Sequence, residues 1–229
     1  NNKYTYSNAI SYCNDLSFAG YSDWRLPSKK ELISIIDFGR YEPAIDKTKF
    51  LNAKSSTYWT STVSSNWATY AWSVQFQYGK FVPAHHVQYG FEALCVRNNQ
   101  KTISFLDNGD NTITDQKTRL IWQKQDDGSE RSRENALNYC ENLTLGGNSA
   151  WRLPNIKELE SIVDDNRVSP SINTTYFPDT KHLSDANYIS SSEYLASSNY
   201  SWTVTFNSGE ASIAGHTSSS YVRCVRGGQ

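Results

Sequence analysis

The sequence predicts two tandem α+β modules, each with two short helices ahead of an antiparallel sheet. Three observations carry this: an ungapped internal duplication, helical periodicity that precedes strand alternation in each copy, and a composition rich in Tyr and Trp among many Ser, Asn and Thr. Shifting the chain by 127 residues lays Ala9, Tyr12, Cys13, Leu16, Trp24, Arg25, Leu26, Pro27, Glu31 and Leu32 on Ala136, Tyr139, Cys140, Leu143, Trp151, Arg152, Leu153, Pro154, Glu158 and Leu159. The offset then drifts to 130, where WSVQFQYG (72–79) meets WTVTFNSG (202–209), and to 129, where the CVR at Cys95 meets the CVR at Cys224. A period this long marks whole domains, because solenoid repeats run roughly 20–50 residues. The modules are therefore read as residues 1–98 and 99–229.

Each copy opens with a helix signal. Thr5 and Ser132 stand where they can cap helices whose apolar faces, Ala9, Tyr12, Cys13, Leu16 and Ala136, Tyr139, Cys140, Leu143, recur at i, i+3, i+4 and i+7. After Pro27, Ser28 with Glu31 spells the capping box, and Asn155 with Glu158 spells its equivalent. A second short helix follows, with Leu32, Ile35 and Ile36 or Leu159, Ile162 and Val163 turned inward. Trp72, Val74, Phe76 and Trp202, Val204, Phe206 then alternate with the period of a strand. Gly79 or Gly209 interrupts, and a final strand carries Cys95 or Cys224. Helices first and strands last is α+β order, not the βαβ alternation of a nucleotide-binding fold. Residues 99–123 have no counterpart in the first copy. Their ISFLDNGDNTITDQKTRLIWQK reads as a hairpin, strand then Asn/Gly/Asp turn then strand, that opens the second module and whose first-copy version is lost upstream.

A formal net charge of −1 provides no global field toward nucleic acid or an anionic membrane. The first module carries +3 and the remainder −4, a mild asymmetry. No run of about 20 apolar residues exists, so direct membrane insertion is not expected of this segment. The chain starts on NNKYTYSNAI, already close to a helix signal. A segment removed from its front is expected, so the missing signal peptide does not argue for the cytosol.

Four cysteines permit three pairings, and the duplication selects one of them. Because Cys13 and Cys95 recur as Cys140 and Cys224, each self-contained module joins its first helix to its last strand. Closing such loops contributes about 4 kcal/mol per module in the chain-entropy estimate and implies an oxidising compartment, extracellular, cell-surface or periplasmic. No Cys-x-x-Cys pair exists and the chain holds only four His, which argues against zinc and against a nucleophilic thiol.

The words YCNDL…GYSDWRLPSKKELISIID…WSVQF…CVR, and DNGDNTITDQKTRLIWQK…YCENL…WRLPNIKELESIVD…VRCVRG in the second copy, carry a family likeness. In them the chain resembles the DUF1566 family, also called the Lcl C-terminal domain, which belongs with C-type-lectin-like folds. The resemblance implies tandem C-type-lectin-like modules, an exported or surface protein of bacteria, a helix-to-last-strand disulfide, and adhesion or ligand recognition without a required cofactor. The same superfamily holds formylglycine-generating oxidases, which depend on reactive thiols. The expected partner is a glycan or a host or cell-surface protein; a structural spacer and an oxidase-like enzyme are the alternatives.

Candidate sites follow from the places where the copies differ. The two Trp-Arg-Leu-Pro phrases are read as scaffold, with Trp packing, Arg donating to backbone carbonyls and Pro setting the helix start. Asp107, Asp110 and Asp115 supply hard oxygens in a Gly-containing turn that could hold calcium. His85 and His86, adjacent on a strand, point to opposite faces and cannot chelate together. Asp126-Asp127 and Asp164-Asp165 read as solvated charge. Between the paired Gly and the last strand the copies diverge, KFVPAHHVQYGFEAL against EASIAGHTSSSYVR, on a matched frame. That pattern marks a recognition surface, with Tyr70, Tyr78, Lys80, His85, His86 and Tyr89 in the first module and Tyr194, Tyr200, Asn207, Glu210 and His216 in the second.

Overall fold

In the computed structural model residues 3–98 and 104–227 are described, and the chain divides into two compact units, Asn1–Asn99 and Gln100–Gln229. The boundary read after Asn98, and the following stretch through Ile103, fall at or outside the limits of the described residues.

The first unit begins with α1 (Tyr6–Asn14). Ala9 and Cys13 are fully buried and pack with Leu26, Trp59, Ala71 and Ala84, so a two-residue stripe is what the helix gives the core. Tyr12 departs from the predicted face: it is 42% exposed and stacks on Tyr4 with ring centroids 4.8 Å apart. Thr5 occupies the N-cap position with an extended backbone, but its side chain accepts no helix N–H. α2 (Lys29–Ile35) starts with the complete capping box, Ser28 accepting from the Glu31 N–H and Glu31 from the Ser28 N–H. Leu32, Ile33 and Ile36 are buried while Ile35 stays half-exposed, which corrects the expected inward set. Leu32 and Ile33 form the buried side of this short helix, and Ile36 is buried from an extended backbone (ψ 137) that bridges Ile45, so the inward side turns away from Ile35.

β1 (Thr57–Val63), β2 (Tyr70–Gln75) and β3 (Lys80–His85) form an antiparallel sheet in that order. β2 is central, and all of Ala71 to Val74 are buried, so the polar alternate Ser73 is not on a solvated face as the alternation suggests. Its hydroxyl donates to the Val82 carbonyl at 2.9 Å, and the Thr60 hydroxyl donates to the Trp72 carbonyl at 2.9 Å, which satisfies these buried groups. Cys95 lies in an extended segment without a named strand; Val96 makes a single bridge to Arg25.

The second unit opens with β4 (Phe105–Asp107), β5 (Thr112–Asp115) and β6 (Leu120–Gln123), three strands where the sequence reading has two. The extra turn is made at Arg119, whose φ of 62° is not signalled by Gly or Asn. α3 (Arg133–Glu141), capped by Ser132, buries Ala136 and Cys140. α4 (Ile156–Ser161) has the Asn155–Glu158 capping box, and Leu159, Ile162 and Val163 are buried as the spacing predicts. β7 (Asn187–Glu193), β8 (Tyr200–Thr205) and β9 (Glu210–Gly215) repeat the first unit's sheet, bulge included. β10 (Val225–Gly227) starts just after Cys224 and joins the opening strands in the order β10-β6-β5-β4. Among the described residues a last strand thus forms only where β6 offers it an edge.

Disulfides join Cys13 to Cys95 and Cys140 to Cys224, each with its Cα atoms 5.5 Å apart. This is the pairing the duplication selects.

Candidate functional site

The two Trp-Arg-Leu-Pro phrases build scaffold rather than a clamp. Arg25 forks onto Glu31, with Nη1–Oε2 at 2.8 Å and Nη2–Oε1 at 2.7 Å, and donates to the Asn98 carbonyl. Arg152 forks onto Glu158 with both bonds at 2.7 Å and reaches the Gly227 carbonyl at 3.2 Å. Carbonyls, expected as the main partners, come second to the capping-box glutamate. One carboxylate therefore caps a helix and orients the guanidinium that holds the last segment, and the bond to Glu raises the pKa of each Arg. Glu158→Ala is expected to lower the stability of the second unit by about 1–2 kcal/mol in urea unfolding, and Glu158→Gln by less.

The three acidic candidates of the opening strands do not converge. Asp107 pairs with Lys124 at 2.6 Å and accepts from the Gly109 N–H, and the Lys124 bond holds its carboxyl below the usual range. Asp110 accepts from the N–H and hydroxyl of Thr112. Asp115 is buried at the far end of the pairing, opposite Phe105, and accepts from Lys117 and Thr118. Each carboxylate closes its own turn. Among the described residues no group of three or more His, Cys, Asp or Glu side chains is placed to hold a metal ion.

The surface candidates separate into two sets at opposite ends of each sheet. Tyr70 pairs with His85 at one end of β2–β3, and Gln75 pairs with Lys80 at the other, five steps or about 17 Å away. Tyr78, Lys80, Asn207 and Glu210 belong to the turn end. There the Tyr78 hydroxyl accepts from Gln77 at 2.8 Å, and the Asn207 carbonyl accepts from Ser169.

Tyr70, His85 and His86 gather at the opposite end, where α1 begins and the β1–β2 loop closes. Tyr70 meets Trp67 at 5.4 Å and His85 edge-on at 5.2 Å, and His86 stacks flat on Tyr6 at 4.2 Å. The two histidines part to different neighbours, but not by strand alternation: β3 ends at His85, and His86 already lies in the turn that follows. Two backbone bonds draw the elements together: the Tyr6 N–H donates to the His86 carbonyl and the His86 N–H to the Thr69 carbonyl. Burial raises the Tyr6 phenol pKa, and its hydroxyl donates to the Ser61 carbonyl. Trp67 is 49% exposed, and Val87 and Tyr89 beside the strand end are exposed as well. Tyr6 and Trp67 lie outside the divergent stretch, so the sequence reading missed them.

The second unit keeps this frame and changes its chemistry. Arg133 N–H donates to the His216 carbonyl and His216 N–H to the Asn199 carbonyl, the same two bonds at the matching positions. Around them Tyr6 becomes Arg133, Trp67 becomes Ser197, Ala71 becomes Ser201 and His85 becomes Gly215. Arg133 Nε donates to the Ser201 hydroxyl at 2.9 Å, which lies 3.2 Å from His216 Nε2, and Arg133 Nη2 meets Glu193 at 3.2 Å. Tyr200 is 40% exposed, and Tyr194 turns edge-on to Trp202. Aromatic in one unit, this end is polar and charged in the other.

Asp126 overturns its solvated reading. Its carboxylate accepts from Arg223 Nη2 at 2.9 Å and from the Tyr188 hydroxyl at 2.6 Å, with the Arg223 and Asp126 side chains 0% and 1% exposed. Burial first, and then the Asp126 charge, push the Tyr188 phenol pKa well up. The available signal was Arg223 itself, standing next to the disulfide cysteine where the first copy has Leu94. Asp127 and Asp164 remain near the surface, paired with Arg131 and Arg167.

Comparison with known proteins agrees with the duplication. The family model described as the Lcl C-terminal domain matches residues 1–97 and 111–226, once on each unit. No curated protein matches the chain.

Proposed function

The chain belongs to the Lcl C-terminal domain family along both of its units, and on that premise we propose that it is the ligand-binding module of an exported bacterial surface protein, adhesin-like, that recognises a glycan. One observation carries this reading. At the corresponding end of its own sheet each unit keeps the same two backbone bonds, while the side chains around them are exchanged. Such an exchange is what recognition requires and what packing does not. In the first unit an exposed indole beside Tyr70 and His85 offers an apolar face with polar neighbours, the combination that suits the C–H face and hydroxyls of a sugar ring. Each unit is assigned to the C-type-lectin-like folds, supported by its two short helices, antiparallel sheet and helix-to-last-segment disulfide. An extracellular, cell-surface or periplasmic location is supported by the same disulfides. No described helix is long and apolar enough to cross a membrane.

The oxidase alternative needs a reactive thiol, and all four cysteines are taken up in disulfides. Nothing favours it over binding. A glycan array with the intact chain, run with and without chelator, is expected to give hits, and Trp67→Ala is expected to weaken binding at the first unit at least about tenfold. No glycan bound by the intact chain sinks the reading, and retained affinity in Trp67→Ala moves the site elsewhere. A chelator-sensitive signal brings calcium into the site; an insensitive one makes recognition metal-free.

A further inference from the structure

The second unit shows what covers the closing segment of such a module. Val225 lies opposite Trp122, Arg226 opposite Ile121 and Gly227 opposite Leu120, and the Gln123 N–H donates to the Cys224 carbonyl at 3.0 Å. Ile121 packs against the buried cluster that holds Cys140 and Cys224, and Gln123 Nε2, on the same strand face, donates to the Tyr139 hydroxyl at 3.0 Å. β6 is thus both a hydrogen-bonding partner and part of the wall around the disulfide.

The first unit repeats the receiving side without the strand. Val96 exchanges both of its backbone bonds with Arg25 at 2.9 Å, as Val225 does with Arg152. Alternation turns the N–H and C=O of the next residue, Arg97, the other way, toward the side that β6 occupies in the second unit. Among the described residues no backbone hydrogen bond meets the Arg97 N–H or the Cys95 carbonyl. Side chains agree: Cys95 is half-buried where Cys224 is 0% exposed, and Tyr12 is 42% exposed where Tyr139 sits half-buried against Gln123.

We infer that the Cys95–Arg97 edge of the first unit is a docking slot for an antiparallel β-strand with the chemistry of Leu120–Gln123, its Ile turned to the Cys13–Cys95 disulfide and its amide side chain on Tyr12, the two residues sharing one strand face. The occupant follows from the matched seat in the second unit, where that strand satisfies both the open backbone groups and the exposed apolar wall. Strand addition to a sheet edge supplies main-chain bonds for affinity and alternate side chains for specificity. This inference is independent of the glycan reading, since the slot lies on the closing segment and not at the Trp67 end.

A synthetic peptide spanning residues 104–124, added to the full chain, tests it. One peptide is expected to bind per chain, because the second unit's seat is filled. Hydrogen exchange at the Arg97 amide should slow at least roughly tenfold, and replacing the peptide's Ile121 with Ala should weaken binding at least roughly tenfold. Absence of binding overturns the slot. Protection that appears at residues 225–227 instead of at Arg97 means exchange with the second unit's own strand and also overturns it. A dimer that forms without peptide and dissociates on its addition assigns the edge to a second copy and overturns the choice of occupant.

Discussion

Asp126→Ala is expected to cost the second unit about 3–5 kcal/mol, the penalty of leaving a buried guanidinium without its carboxylate. Arg223 is the centre of the network. Its Nη1 donates to the Gln123 and Lys124 carbonyls at 2.7 and 2.6 Å, and its Nη2 to Asp126 and to the Thr180 hydroxyl at 2.9 and 3.0 Å. Tyr188 adds its hydroxyl to Asp126 and accepts the Lys181 N–H. These bonds tie the end of β6, the loop near residue 180, β7 and the closing segment at one point, so losing the carboxylate loosens all four together. Pairing the change with Arg223→Leu, which restores the first copy's Leu94 at this position, is expected to recover roughly half of the loss, because a well-packed apolar side chain replaces a buried ion pair at little cost. Urea unfolding with hydrogen exchange at second-unit amides provides the measurement. A loss below about 1 kcal/mol for Asp126→Ala would mean the pair behaves as a solvated one.

Removing the second disulfide through Cys140→Ser with Cys224→Ser is expected to cost about 2–5 kcal/mol, from the freed loop entropy and from two polar groups placed in a fully buried site. The equivalent change in the first unit should cost a comparable amount in chain entropy, since the two bridges span 82 and 84 residues. Their access to reductant differs. Both sulfur-bearing residues of the second bridge are buried, whereas Cys95 is half-buried. Limiting reductant should therefore open Cys13–Cys95 first, which alkylation and mass spectrometry can follow. Earlier opening of Cys140–Cys224 contradicts the account of an uncovered first-unit edge.

Much of the architecture is written in short-range signals. The capping boxes at Ser28 and Asn155 form because their hydrogen bonds close within four residues, and the sulfur pairing follows from the copy number of one pattern. The errors have a common origin. Period alone places Tyr12 and Ile35 inward and Trp72, Val74 and Phe76 on one strand face, yet short helices and a central strand buried on both faces obey the neighbours that surround them. The recognition candidates show the same limit of local reading: Tyr70 and Tyr78 are close in sequence but sit at opposite ends of a sheet.

Local chemistry thus settled the duplication, the α+β order, the helix starts and the disulfide partners, because each depends on residues adjacent in the chain or on comparison of two copies. Three-dimensional packing alone decided that Asp126 is buried against Arg223, 97 residues away, that Tyr6 and Trp67 join the histidine end, and that, among the described residues, a last strand forms in one unit and not in the other. Those outcomes depend on which distant groups are left without water and without a partner, and no window of sequence contains that information.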